Sequence, residues 1–595
     1  MEYPKLRELE ETRQMVDTFY GYNHNLRIGD GEFFNMENMA SDAFPVLSPR
    51  KKRGVYASPV NPQGMIDKDA LCYVNGTEFV MGQYSIDLGL STDPADCPKK
   101  LISMGAYVII LPDKKYINTA NFTDFGNIEA EVETNAPVSF TLCRADGTDY
   151  SDMDIPRDEP QEPANMDMWI DTSSEPHTLK QWSESSGMWV SIATTYVKIS
   201  SAGIGAPFAK YDGITISGLN AALHDNVSGN IIEDTSQLAA LNGSAVVWEK
   251  GDDYIVVVGI LDITRTITDK ITVSRKMPLM DFVVESENRL WGCRYGTAAN
   301  GDVVNEIYAS KLGDFKNWNC FMGLSTDSYA ASVGTDGQFT GAITHLGYPL
   351  FFKENCVHKI YGNYPANFQI QTTACRGVQK GCYRSLAIVN ETLLYKARNG
   401  VCAYDGSLPT EISSALGNEV YSAAVAGSHG NKYYISMRDA YGKYHLFVYD
   451  KEKNMWHRED DLRADCFCSC GGEMYCIDYR SKEIITMLGT GTVDENSVAW
   501  MVETGEIGIS SPDMKYITRL VVRMSLDIGA TVQFYVQYDF SGDWEHLGSL
   551  RGTSLRSFSI PIRPKRCDHI KLKIEGEGVA RIYSITKTIG QGSEP

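Results

Sequence analysis

Histidine, cysteine and carboxylate side chains carry most protein chemistry, and this sequence gathers them in a few places. The densest acid–base group follows Trp456, where His457 stands close to Glu459, Asp460 and Asp461. An imidazole beside carboxylates can move protons or hold a metal. On a loop at the end of a β-unit, however, such residues are expected to be solvated. A second group is Cys466, Cys468, Cys470 and Cys476. Zinc takes four such ligands in a tetrahedron. Two-residue spacing on a strand sets the first three in a row on one face, so they read as small buried strand residues. His345 and His358 flank the pair Phe351-Phe352 and read as positions within a β-unit.

Three further phrases resemble one another: Tyr308 to Asp314 to Trp318, Tyr404-Asp405-Gly406, and Tyr449-Asp450 to Trp456. The aspartate is expected to accept backbone N–H groups in a turn, and the tryptophan to pack between neighbouring units. None fits the sialidase-type aspartate box S/T-x-D-x-G-x-x-W. Asp314 is followed by Phe315 and Lys316, and Asp450 by Lys451 and Glu452. There is no nucleotide-binding glycine loop, no H-E-x-x-H and no G-x-S-x-G. No catalytic, cofactor-binding or metal-binding residue is singled out, so the chain is expected to be no enzyme and to carry no cofactor.

The elements that must position these residues are strands. DFVVESENRLWGCRYG opens a series of units, each reading strand, tight polar turn, strand, turn, strand. The residues just after the first turns are Leu290, Leu350, Leu394, Tyr433 and Met474, spaced by 60, 44, 39 and 41. A period of about 40 to 45 with four strands per unit marks a propeller blade. Upstream, ALCYVNGTEFVMGQY (70–84) turns at Asn75-Gly76, a strong hairpin signal. SMGAYVIILPDKKYINTA (103–120) turns at Pro-Asp, and the two hairpins together read as one blade.

Other stretches break this rhythm. MEYPKLRELEETRQ reads as a short charged helix without a secretory signal. An extended arm follows, rich in Gly, Asn and Asp, up to the basic run Arg50, Lys51, Lys52, Arg53, which is expected to be solvated or to touch another subunit. The acidic stretch 146–167 reads as a loop or linker, and Asn220 to Ala240 as holding a short helix. The last hundred residues alternate apolar and polar side chains, the signal of an antiparallel sandwich. The expected fold is all-β: a propeller of about six blades with an N-terminal helix and arm (1–53), a first part (54–130), an inserted β-rich domain between its first and second blades (131–275), a remainder (276–492) and a C-terminal sandwich (493–595).

Composition narrows the function. Acidic residues outnumber basic ones 76 to 55, a formal charge of −21, which opposes affinity for nucleic acid. No apolar run reaches the length of about 18 residues that a membrane-spanning helix needs. The fourteen cysteines are expected to be reduced thiols of a chain folded in a cytoplasm.

The arm GYNHNLRIGDGEFFNMENMASDAFPVLSPRKKRG, the phrases MPLMDFVVESENRLWGCRYG, NEIYASKLGDFKNW and LLYKARNGVCAYDGS, and the pair KYITRLVVRM with RCDHIKLKIEGEG resemble the tail nozzle or tail-hub proteins of short-tailed phages. The resemblance leaves 131 to 275 unmatched. It implies a structural protein of the virion tail, made in the host cytoplasm. The copies would form a ring, a hexamer, around the genome-ejection channel. Portal, adaptor and other tail proteins, with fibres, would be its partners, and phage DNA would pass without specific binding. An alternative reading is a host-recognition or carbohydrate-binding tail protein, with Trp182 and Trp189 as an exposed aromatic platform. A third is a propeller glycosidase.

Overall fold

A computed structural model describes residues 11–591 apart from 136, 151–154, 225–230, 235, 299, 492, 510–513 and 540. The architecture is all-β, and the α-helix among the described residues is the single turn Ser236–Ala239, within the stretch expected to hold one. No helix is long and apolar enough to cross a membrane.

Seven four-stranded antiparallel sheets succeed one another as propeller blades over 62–87, 100–127, 282–332, 339–374, 387–411, 422–458 and 464–486, the last completed by Gly54–Ala57. They are numbered blades 1 to 7. The first strand of each blade packs against the start of the next, and Ala464–Cys470 of blade 7 returns to Pro62–Asp67 of blade 1. The ring is thus closed, and the number of blades among the described residues is seven rather than six. The reading of 70–84 and 103–120 as one blade is corrected. Each hairpin is the middle of its own blade, flanked by short strands such as Pro62–Asp67 and Phe125–Asn127, whose Pro, Gly and Asp content conceals them. The insertion consequently leaves the ring between blades 2 and 3, not 1 and 2.

Closure is physical. Ile484, Ile485 and Thr486 pair with Ala57, Val55 and Gly54, so the two ends of the ring share one sheet and leave no open edge between them. The five residues that set the repeat, Leu290, Leu350, Leu394, Tyr433 and Met474, each lie on the second strand of a blade and are fully buried.

The insertion starts and ends on one stem, Ala130–Glu133 paired with Thr272–Arg275. Two sheets enclose a core that includes Phe140, Val197, Ile214, Ile255 and Val273. A third, three-stranded sheet (Met168–Asp171, Thr178–Ser183, Met188–Ser191) packs Ile170 and Leu179 on Leu142 and Ile155.

The C-terminal part is built on a long bent hairpin, Lys515–Tyr538 with Glu545–Ile560. The first half of the long strand pairs with Ala580–Gln591 and the second with Ile570–Glu577. The two halves face each other across Leu520, Val522, Phe534, Leu572 and Ile574. The arm does not stand apart. Glu11–Val16 is a strand on Ala580–Gln591, and Glu32–Glu37 a strand on Ala499–Thr504. The expected helix over 1–14 therefore fails at Glu11–Val16, where Val16 packs on the C-terminal core and tertiary contact overrides local propensity. Residues 1–10 of that expected helix lie outside the described residues. Gly21 shows how close the arm comes to blade 6: its φ is +82°, and a Cβ there would lie 2.3 Å from the Trp456 carbonyl oxygen.

Candidate functional site

The three-stranded sheet of the insertion has two unlike faces. Alternation sends Ile170 and Leu179 into the local core and their neighbours outward. Trp182 stands directly opposite Trp189, and Trp169 opposite Lys180, which is two residues from Trp182 and shares its face. Three half-buried tryptophans thus gather on the outer face. Trp189 meets Trp169 and Trp182 edge-on, each pair 5.5 Å apart. Lys180 Nζ lies 4.9 Å from the Trp169 ring centre and 2.6 Å from Asp171 Oδ2. That ion pair, with the Ser173 N–H and hydroxyl, holds the Asp171 carboxyl well below the usual carboxylate range. The Trp169 indole N–H donates to Arg157 O at 2.9 Å. Those of Trp182 and Trp189 have no acceptor among the described residues. The result is an aromatic surface with free indole donors and an adjacent charged pair. Trp169 was not anticipated; its signal is the short β-rich run Met168–Asp171, which the acidic stretch before it obscures.

A second feature is the axial channel of the propeller, a cavity of about 870 Å³ lined by the first strands of the blades. Its carboxylates are engaged. Asp281 pairs with Arg294 at 2.8 Å, Asp465 with Lys482 at 3.5 Å, and Glu285 accepts the Asn288 N–H at 2.9 Å.

The residues singled out in sequence lie elsewhere. His457 and Glu459 are buried rather than solvated, because the arm covers them. Burial pushes the His457 imidazole down to about 3. Glu459 Oε2 lies 2.5 Å from Arg53 Nη2, and Asp460 Oδ2 lies 2.6 Å from Arg53 Nη1. Arg50 adds a pair to Glu495 at 2.8 Å. Arg50 and Arg53 of the basic run are therefore neither solvated nor free for another subunit. They clamp the arm to blade 6 and to the entry of the C-terminal part, as buried charges require partners. Asp461 lies outside this cluster, on Arg480 at 3.0 Å.

Cys466, Cys468 and Cys470 share one face of blade 7, packed toward Met65 and Leu71 of blade 1. Cys476 pairs with Phe467 and faces blade 6, so the sheet separates it from the other three. All fourteen cysteines are free thiols. His358 is enclosed by the Thr335 and Thr372 hydroxyls at 2.9 and 2.8 Å, and His345 Nε2 lies 2.7 Å from Glu391 O. The repeated aspartates cap turns: Asp314, Asp405 and Asp450 accept the N–H groups of Lys316, Ser407 and Lys453. Trp318 packs between blades 2 and 3, and Trp456 donates to Ile412 O at 2.8 Å beside blade 5.

No family model and no curated protein matches this sequence. Solved structures do. An exo-β-1,3-galactanase from Phanerochaete chrysosporium is 10% identical, with 51% of this chain and 94% of that chain covered and a TM-score of 0.22. A GH43 glycoside hydrolase with endo-xylanase and exo-arabinofuranosidase activity is 7% identical, covers 52% and 97%, and scores 0.19. PorZ, a surface component of the type-IX secretion system of Porphyromonas gingivalis, is 11% identical, covers 83% and 70%, and scores 0.25. Glycoside hydrolases among these matches overturn one expectation. The exclusion of the chain from the enzymes, drawn from missing motifs, is withdrawn. TM-scores this low assign no reaction to it.

Proposed function

We propose that this chain is a carbohydrate-binding protein whose insertion presents the face of Trp169, Trp182 and Trp189 to glycans, the host-recognition reading of a tail protein. The pairing of Trp182 with Trp189 on the face turned away from the local core carries the proposal. Sugar C–H faces stack on aromatic rings, and an indole N–H satisfied by no protein group suits a hydroxyl oxygen. Lys180 and Asp171 supply a donor and an acceptor at the edge of the platform. The test is tryptophan fluorescence titrated with plant and bacterial oligosaccharides. A saturable change is expected in the wild type, weakened at least about tenfold in Trp182→Ala, because a well-packed aromatic anchor is worth about 2 kcal/mol or more. Saturation with equal affinity in Trp182→Ala would contradict the assignment.

A second reading, a ring-forming tail nozzle or hub subunit that meets portal, adaptor and fibre proteins, draws support from the distribution of charge. Residues 130–275 hold twenty-two acidic and nine basic residues, whereas 514–591 hold seven acidic and twelve basic. Arg519, Arg523, Arg551, Arg556 and Arg563 are exposed and lack a carboxylate partner among the described residues. Opposite fields at separate places favour head-to-tail contact between copies, which closes into a ring or grows into a filament. Electron micrographs of the purified protein with a central hole are expected on this reading. Monodisperse monomers at high protein concentration and low salt would count against it.

A further inference from the structure

The axial channel holds two cations whose charge the fold does not neutralise. Lys100 lies on the first strand of blade 2, and its side chain is exposed where it lines the channel. Its ammonium makes no hydrogen bond or ion pair among the described residues. Arg384, in the turn Tyr383–Ser385 that opens blade 5, gives one N–H to the Asp465 carbonyl oxygen at 2.5 Å and has no carboxylate partner among the described residues. Both line the same cavity, and both act on the Cys466 thiol of blade 7.

The other charges in the wall are committed. Lys99 pairs with Asp113 at 2.7 Å and Lys114 with Glu129 at 2.6 Å. Asp281 and Asp465 have Arg294 and Lys482, which leaves Glu285, bound to its own turn, as the carboxylate without a cation. Two cations without carboxylate partners in one concave wall make that part of the channel locally positive, which favours an anion there. An arriving anion would meet both cations at once. The volume, about 870 Å³, is within the range of pockets that enclose small organic ligands.

We infer that the axial channel binds a small oxyanion-bearing ligand, a carboxylate or phosphate held by Lys100 and Arg384. The site is separate from the tryptophan face and stands or falls without it. Calorimetric titration of the full chain with glucuronate, glucose 6-phosphate and inorganic phosphate, with glucose as the neutral control, tests it. At least one anion is expected to bind and glucose not to bind. Preference for glucuronate points to an acidic sugar, and preference for either phosphate to a phosphorylated ligand. Lys100→Met and Arg384→Met should each weaken binding by about tenfold or more. Independently of any variant, the bound anion should slow alkylation of Cys466 by iodoacetamide, read by mass spectrometry, and leave Cys375 unaffected. Absence of anion binding at millimolar concentration, equal binding of glucose, or full affinity in both variants would overturn the inference, as would unprotected Cys466 under saturating anion.

Discussion

His358 is held without charge by its surroundings. Burial, with Lys353 nearby, pushes its pKa down to about 4, whereas the unfolded imidazole titrates near about 6.5. Between these values the unfolded chain binds the extra proton. The contribution of His358 to stability is therefore fully present above about pH 6.5 and lost as pH falls through about 4. His457 has the same sign, its loss running on to about 3. Thermal melts from pH 7 to pH 4.5 are expected to fall in temperature, and His358→Gln to flatten part of that slope. An identical slope in the variant would contradict the assignment. Arg53 makes a sharper case. Its removal in Arg53→Met takes the nearest cation from Glu459 and Asp460 and leaves them only Arg50, at 4.0 and 3.8 Å, at a cost of about 3 kcal/mol, the low end for a broken buried pair, measurable by urea unfolding. Neither contact was legible in the sequence, because more than four hundred residues separate the partners. The basic run looked solvated since only its composition could be read.

At the scale of elements, the strands with regular alternation and clear turns were legible. The Asn75-Gly76 turn, the aspartate-capped turns and the five buried repeat residues all follow from local chemistry. The short flanking strands were not, and missing them cost a blade in the count. The destination of the arm was hidden for the same reason as the Arg53 contacts: pairing of Glu11–Val16 with Ala580–Gln591 depends on the whole chain. Gly54–Ala57 then closes the ring on blade 7. A chain beginning at Ser58 would lose this closing strand and the arm strands of the C-terminal sheet together. It is expected to melt at a lower temperature than the full chain when followed by circular dichroism, and an unchanged melting temperature would show that these strands contribute nothing.

Across the whole molecule, the two proposed sites lie apart, one on the insertion and one in the axial channel. The insertion carries the tryptophan face and most of the excess negative charge, while residues 514–591 are basic. If copies associate through these fields, sedimentation velocity should show association at low ionic strength that weakens by about 0.5 M salt, where the screening length has fallen to about 4 Å. The sequence offered Trp182 and Trp189 as a pair, but neither Trp169 nor the axial grouping of Lys100 with Arg384 could be read from it, since only the folded sheets bring those residues together. The most direct measurement of the central claim is a glycan array probed with the full chain and with the double variant Trp182→Ala, Trp189→Ala. The wild type is expected to bind a defined set of glycans and the folded double variant to lose them. A wild type that binds no glycan, or a double variant that keeps the same set, would contradict it.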